Sequence, residues 1–297
     1  MTVVEAKPHK SVIRIEPSRR WLSLKLRDVW AARELLFFFV WRDVKVRYKQ
    51  TVLGAAWAVI QPFFTMVVFT LFFGKLAKLS NDVRVPYPIF SYAGLLAWQF
   101  FANGLGQSAT SLLSQRATIT KIYFPRMTVP LAAVLGGLVD FAVAFLVLIG
   151  MMLYYRNGVL HQSGHLIHYQ IPFSPKALLI VPVLGIAAMT AFGVGMFLAA
   201  LNVKYRDVVY VTGFLIQIWL FATPVIYPSH LIHNNLLRTI LGLNPMAGVV
   251  EVARWALIGT PFPSGPLFLA SCGMAVLLLA AGAVFFGRTE RTFADVM

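Results

Sequence analysis

Residues 127–153 read MTVPLAAVLGGLVDFAVAFLVLIGMML, an apolar run interrupted by a single charge, Asp140. As a helix rising 1.5 Å per residue, this run is long enough to cross the roughly 30 Å hydrocarbon core of a bilayer. Its length and near-absence of charge select a transmembrane helix over a core helix of a soluble domain. Working outward, five further runs have comparable length and character, at about 52–73, 89–112, 177–201, 208–227 and 266–286. The fold class expected is therefore an all-α membrane protein with six transmembrane helices.

The second run is the most polar. Asn103, Gln107, Ser108, Thr110, Ser111 and Ser114 crowd its far half, so this face is expected against protein or water rather than lipid. The whole chain has the same bias: of 297 residues, 59% are hydrophobic and 12% charged. A soluble protein has roughly 45–50% apolar and about 25% charged residues. An ordinary soluble enzyme, a disordered protein and a disulfide scaffold are excluded together, the last also because Cys272 is the single cysteine.

Charge sets the orientation. The chain carries 26 Lys and Arg against 11 Asp and Glu, net +15, and 12 of the basic residues precede the first apolar run. That distribution suits anionic lipid headgroups and not nucleic acid. Six spans put both termini on one side, whose segments hold 19 of the 26 basic residues. The expected orientation places both termini in the cytoplasm. Residues 1–34 lack the apolar segment of a secretory signal.

Residues 1–24 read as a disordered extension, 25–51 as an amphipathic interface helix, 52–286 as the six-span domain and 287–297 as a cytoplasmic tail. Over residues 21–50 Leu22, Leu26, Val29, Trp30, Phe37, Val40, Trp41, Val44 and Tyr48 share one face at helical spacing, with Lys25, Arg27, Arg42, Lys45, Arg47 and Lys49 among the charges on the remainder. This pattern suits a helix lying on the membrane. Between the fifth and sixth spans, residues 231–241 and 246–258 are each helical in pattern but too short to cross, and Asn244-Pro245 divides them. Two short re-entrant helices are expected, a backbone arrangement that survives at membrane depth only against protein or a water-filled cavity. Helices resting on the outer leaflet are the alternative.

Chemistry is sparse. Asp140 stands within a span without a basic match, which argues against a proton relay. His161, His165 and His168 have helical ligand spacing but no acid or cysteine nearby, so no metal site is expected. Gly74-Lys75 lacks the other residues of a nucleotide-binding loop, and no catalytic constellation is present. The chain reads as a conduit or as one half of a machine driven by another polypeptide. Residues 113–128, LLSQRATITKIYFPRM, would supply a handle, with a short surface helix from about Leu112 to Tyr123 presenting Gln115, Arg116, Thr118 and Lys121. A solvated basic loop is the alternative.

Four ordered stretches bear on this choice: WRDVKVRYKQTVLGAAWAVIQP (Trp41 to Pro62), KIYFPRMTVP (Lys121 to Pro130), LNVKYRDV (Leu201 to Val208) and ERTFADVM (Glu290 to Met297). Together they resemble the transmembrane subunits of ABC type-2 polysaccharide exporters, the Wzm-like O-antigen permeases, with capsule and teichoic-acid permeases as close relatives. The resemblance implies a bacterial inner-membrane half-transporter. Two copies would form a homodimer around a channel, with two ATP-binding cassette ATPase subunits docked below. This chain would carry no cofactor, and ATP and Mg would be bound by the ATPase. The implied cargo is a glycan on undecaprenyl diphosphate.

The resemblance also assigns roles. The Leu112 to Tyr123 helix would couple to the ATPase through Gln115, Arg116, Thr118, Lys121 and Tyr123. The short helices would form an outer gate with Leu231, Leu241, Asn244, Pro245, Glu251 and Trp255. Sugar faces stack on aromatic rings, so Trp57, Phe63, Phe64, Tyr92, Trp98, Phe101, Trp219, Phe221 and Tyr227 are channel candidates, against lipid-facing or core packing. Arg47, Lys49 and Arg116 are candidates for the lipid diphosphate, since both residue types bind phosphate. An exporter of a smaller lipid or drug remains open. So does a membrane-embedded glycan-modifying enzyme, which should show paired acids where this chain has a solitary Asp140.

Overall fold

The computed structural model describes residues 26–49, 56–119, 121, 124–162, 165–205 and 207–290. The expected extension 1–24, Leu22, Tyr123 and the tail from residue 291 lie outside the described residues. Helices α1 (Leu26–Ala31) and α2 (Arg33–Lys49) lead to α3 (Ala56–Phe69), which continues as a π-helical segment, Thr70–Leu76. Then come α4 (Tyr87–Ser114), α5 (Arg116–Ile119), α6 (Thr128–Tyr154), α7 (Ile180–Lys204) and α8 (Val208–Phe221). The chain closes with α9 (Asn235–Leu243), α10 (Pro245–Ile258) and α11 (Gly265–Thr289).

The most polar of the long runs, α4, is the centre of the bundle. It packs against α3, α6, α7, α8 and α10, and its Ser91, Ser108 and Ser111 are buried. Two of these hydroxyls bond back to carbonyls of α4 itself, Ser91 to Pro88 at 3.0 Å and Ser111 to Ser108 at 2.7 Å. Packing on protein from several sides lets α4 carry polar residues that a lipid-facing helix would expose to hydrocarbon. On the far side α7 and α11 meet at two glycines. A Cβ on Gly282 would overlap the Gly193 carbonyl, and one on Gly193 would strike the Leu278–Leu279 backbone.

Among the described residues, four helices are long and apolar enough to cross a membrane: Ala56–Leu76, Thr128–Tyr154, Pro175–Lys204 and Gly265–Thr289. Two of the six expected runs differ. Helix α4 has the length but not the apolar character, because protein surrounds it. The run 208–227 is not one helix: α8 ends at Phe221 after 14 residues, about 21 Å of rise, and residues 222–227 form turns.

A second correction concerns the all-α class. Residues Asn157–Gln162 (β1) and His165–Gln170 (β2) form an antiparallel hairpin that pairs Val159 with His168 and His161 with Leu166. The three histidines therefore lack the helical spacing read from the sequence. Alternation on paired strands has replaced it.

The short helices between α8 and α11 are present but unlike one another. They bend by 86° at Asn244. Leu231 falls in a separate 3-10 turn, Ser229–Leu231. Helix α10 is buried along most of its length, whereas α9 exposes Leu236, Leu237 and Ile240. A left-handed residue ends α10, Gly259 at φ 73°, where a Cβ would press on the Pro172 ring at 3.0 Å; glycine is the residue such a cap favours.

Candidate functional site

The side chains with chemistry converge on one seam, bounded by the end of α2, α3, α4 and α6. Arg47 and Tyr48 close α2, and both reach Asp140 in the middle of α6. Arg47 also donates to the side-chain carbonyl of Gln107 on α4. Asp140 is thus matched after all, by a residue 93 positions earlier in the chain. Burial, with the Asp140 carboxylate accepting the Tyr48 hydroxyl, pushes the Tyr48 phenol above its ordinary range and keeps it a donor.

These contacts alter the picture of α2. Near its middle Phe39 is buried and meets the Phe124 ring at 5.4 Å, just before α6 begins. At its end Arg47 and Tyr48 reach Asp140. Helix α2 therefore runs along the first half of α6 instead of resting on one apolar face. Trp30, Phe37 and Trp41 from that expected face are exposed.

Two cavities occupy the seam. One, of about 240 Å³, is lined by residues of all four helices, among them Trp57, Gln61, Gln99, Asn103 and Asp140. The other, about 360 Å³, lies between the middle of α2 and the facing ends of α4 and α6, where Asp43, Ser114 and Val129 line it. Arg47 and Gln107 line both, so their hydrogen bond stands at the partition. Pro62 in the wall of the first cavity lacks the N–H that would bond the Ala58 carbonyl one turn earlier, and Ala58 lines the same space.

The channel candidates divide into groups. Tyr92, Trp98 and Phe101 are buried inside this chain. Tyr92 donates to the Ala144 carbonyl at 3.1 Å, and the Trp98, Phe101 and Trp219 rings follow one another at 5.2 and 4.9 Å. Trp57, Phe63, Phe64 and Phe221 are exposed. Tyr227 is half-buried and donates to the Phe221 carbonyl at 3.3 Å.

The gate candidates gather around Asn244. Its Oδ1 accepts from Trp219 Nε1 at 2.9 Å and from the Met246 N–H at 3.0 Å, which caps α10. Its Nδ2 donates to the Ala222 carbonyl at 3.0 Å and to Thr223 Oγ1 at 2.9 Å. Pro245 opens α10 and Leu241 is buried beside it. Glu251 lies close to Ser229 of the 3-10 turn. Trp255 stands apart, against Phe262 at 4.8 Å, with Lys176 Nζ 5.2 Å from its ring.

Among the described residues the expected coupling helix is not one continuous helix. Helix α4 runs on past Leu112 to Ser114, breaks at Gln115, and leaves only Arg116–Ile119 as α5. Arg116 and Lys121 are exposed, with Gln115 and Thr118 half-buried. Of the diphosphate candidates, Lys49 and Arg116 are exposed while Arg47 is the residue held by Asp140 and Gln107.

Residues 34–258 match the model of a family described as ABC-2 type transporter. The chain belongs to that family. In this ABC-2 transporter chain the match begins inside α2 and ends on the last residue of α10, so α2 is part of the family unit and not an appended anchor. As a member, the chain is a transporter's membrane component and not an enzyme. It is 28% identical over 269 residues to the O-antigen export system permease protein RfbA of Myxococcus xanthus, covering 89% of this chain and 96% of the relative. A protein of the same name from Klebsiella pneumoniae is 26% identical over 286 residues, covering 93% of this chain and 100% of the relative.

Sequence reasoning missed Arg254. It falls in the stretch 246–258 read only as a short helix, yet in the ABC-2 chain it is 2% exposed. Its guanidinium donates to the carbonyls of Phe90 (3.0 Å), Pro224 and Val225. One arginine inside the apolar stretch VVEVARWALI was the available signal.

Proposed function

We propose that this chain is the permease subunit of an ATP-binding cassette exporter that moves an O-antigen-type polysaccharide, carried on undecaprenyl diphosphate, outward across the bacterial inner membrane. The observation that carries this reading is the likeness to O-antigen export permeases over 89–93% of this chain. The working unit is a homodimer with two ATPase subunits that bind ATP and Mg. Six spans, α3, α4, α6, α7, α8 with the turns after it, and α11, put both termini in the cytoplasm, as the basic-residue bias favours. Exposed Arg116 and Lys121 on the α4–α6 connection support its role as the contact with the ATPase. The hinge at Asn244 supports α9 and α10 as the outer gate, joined directly to the end of α8.

Deleting the gene in its host tests the substrate. Long-chain glycan is expected to vanish from the cell surface and accumulate inside as the lipid-linked form, with export restored by the wild-type copy. Normal surface glycan in the deletion strain would overturn the assignment.

A further inference from the structure

We infer that the cavity of about 240 Å³ between α2, α3, α4 and α6 is a subsite for one uncharged sugar ring of the exported glycan, a step that rests on the polysaccharide-export reading. The starting point is three amides. Gln61, Gln99 and Asn103 line the cavity, and none of their side chains bonds to another described residue. Gln99 and Asn103 are half-buried and Gln61 is exposed at the rim. Amides gathered in an otherwise apolar bundle gain from a hydrogen-bonding partner, so the cavity suits hydrogen-bonding matter. Pro62 adds to this by withholding the helix N–H from the Ala58 carbonyl beside it.

The donor and acceptor set identifies the class of ligand. Side-chain amides both donate and accept, as vicinal hydroxyls do. Trp57, 54% exposed at the cavity, presents a ring on which the C–H face of a pyranose can lie. Phosphate is disfavoured. The cationic lining residue is Arg47, its charge is answered by Asp140, and its second terminal nitrogen is spent on Gln107. An acyl chain is disfavoured by the amides. The volume is below the roughly 300–1,000 Å³ of sites for drug-sized ligands, which suits a single ring and not a length of polymer. Trp57 and Gln61 are the exposed lining residues, so the mouth lies on α3.

The test uses the full permease with its ATPase in lipid nanodiscs. The probes are lipid-linked glycan extracted from the producing cells and undecaprenyl diphosphate without sugar. The double variant Gln99→Leu/Asn103→Leu keeps side-chain bulk and removes two hydrogen-bonding groups. It is expected to weaken glycan binding about tenfold and leave binding of the sugar-free lipid unchanged. Ala58→Phe, on the α3 wall, should block the mouth with the same selectivity and serves if the double variant fails to fold; Asn103→Gln should retain binding. Equal glycan affinity in wild type and variants, as water filling alone predicts, overturns the subsite but leaves the export reading intact. Parallel loss for both probes also overturns it. A wild-type complex that ignores the glycan sinks both.

Discussion

Arg254 meets a demand created elsewhere in the chain. Helix α8 stops at Phe221 and the next residues turn inside the protein, which leaves carbonyls without helical donors. The planar fork of arginine supplies several donors at once, and here it reaches Pro224, Val225 and Phe90 while lying 3.7 Å from the centroid of the Phe90 ring. Gly94 makes room, since a Cβ there would overlap the guanidinium. Arg254→Met should therefore destabilise the protein by about 2–4 kcal/mol, the cost of orphaning two or more buried carbonyls. Arg254→Lys should recover little, because one ammonium lacks the fork. Thermal unfolding of the purified variants reads this directly, and a wild-type melting temperature for Arg254→Met would remove Arg254 from the role. Arg47 follows similar logic. Its charge was legible in the sequence, but its partner Asp140 was not, because the pair forms across α2 and α6 and leaves no local pattern.

Among the elements, the junction of α8, α9 and α10 is the most tightly specified. Asn244 bends the chain, caps α10 and bonds to the end of α8 with one side chain. Asn244→Ala should cost about 1–2 kcal/mol through the lost cap alone and free the turn after α8. Hydrogen exchange of the amides at 222–227 should quicken in that variant and also in Asn244→Asp, which keeps the acceptor for the cap, and so the stability of α10, but loses the Nδ2 donors to the turn. Unchanged exchange in Asn244→Ala would mean that the turn is held by Arg254 and packing instead. The Asn-Pro break was plain in the sequence, as were the long helices, because length and apolarity decide whether a span can form. The end of α8 was obscured because Ala222 to Tyr227 stay mostly apolar after the helix has stopped, and Pro224 alone marked the change. The hairpin was obscured because His161, His165 and His168 fit a helical period by spacing, while His161-Gln162 and Leu166-Ile167 break the polar-apolar alternation that would mark a strand. In the candidate site, the lining residues Trp57 and Arg47 were named from sequence, whereas the amides Gln61 and Gln99 drew no notice, since their meaning comes from facing each other across helices.

For the whole molecule, the question is what covers α3 and α8. They are the least enclosed of the bundle helices: α8 buries only Thr212 and α3 only Pro62, Met66 and Phe69 among their described residues. Exposed apolar surface reads alike in sequence whether lipid or protein lies against it, so oligomeric state was not legible from composition. Geometry narrows the choice. At 14 residues, α8 is too short to cross by itself. The turns that follow it are largely buried within this chain, with Arg254 and Asn244 bonding their carbonyls, so the exposed surface left to be covered is apolar side chain. In the proposed homodimer a second copy would cover the exposed face of α3 and α8, since a two-fold arrangement sets the same face against itself. Cysteines in place of Phe64 and Phe221, singly and together in a Cys272→Ser background, should then give a covalent dimer on mild oxidation in native membranes. The combined variant should cross-link most, because it offers both α3 and α8 to the partner. Cysteine replacing Leu269, exposed on α11, is the control expected to stay monomeric. If only monomer formed from every α3 and α8 variant in cells that still export, those helices would face lipid and the channel would have to be sought within one chain, along the seam beside Asp140.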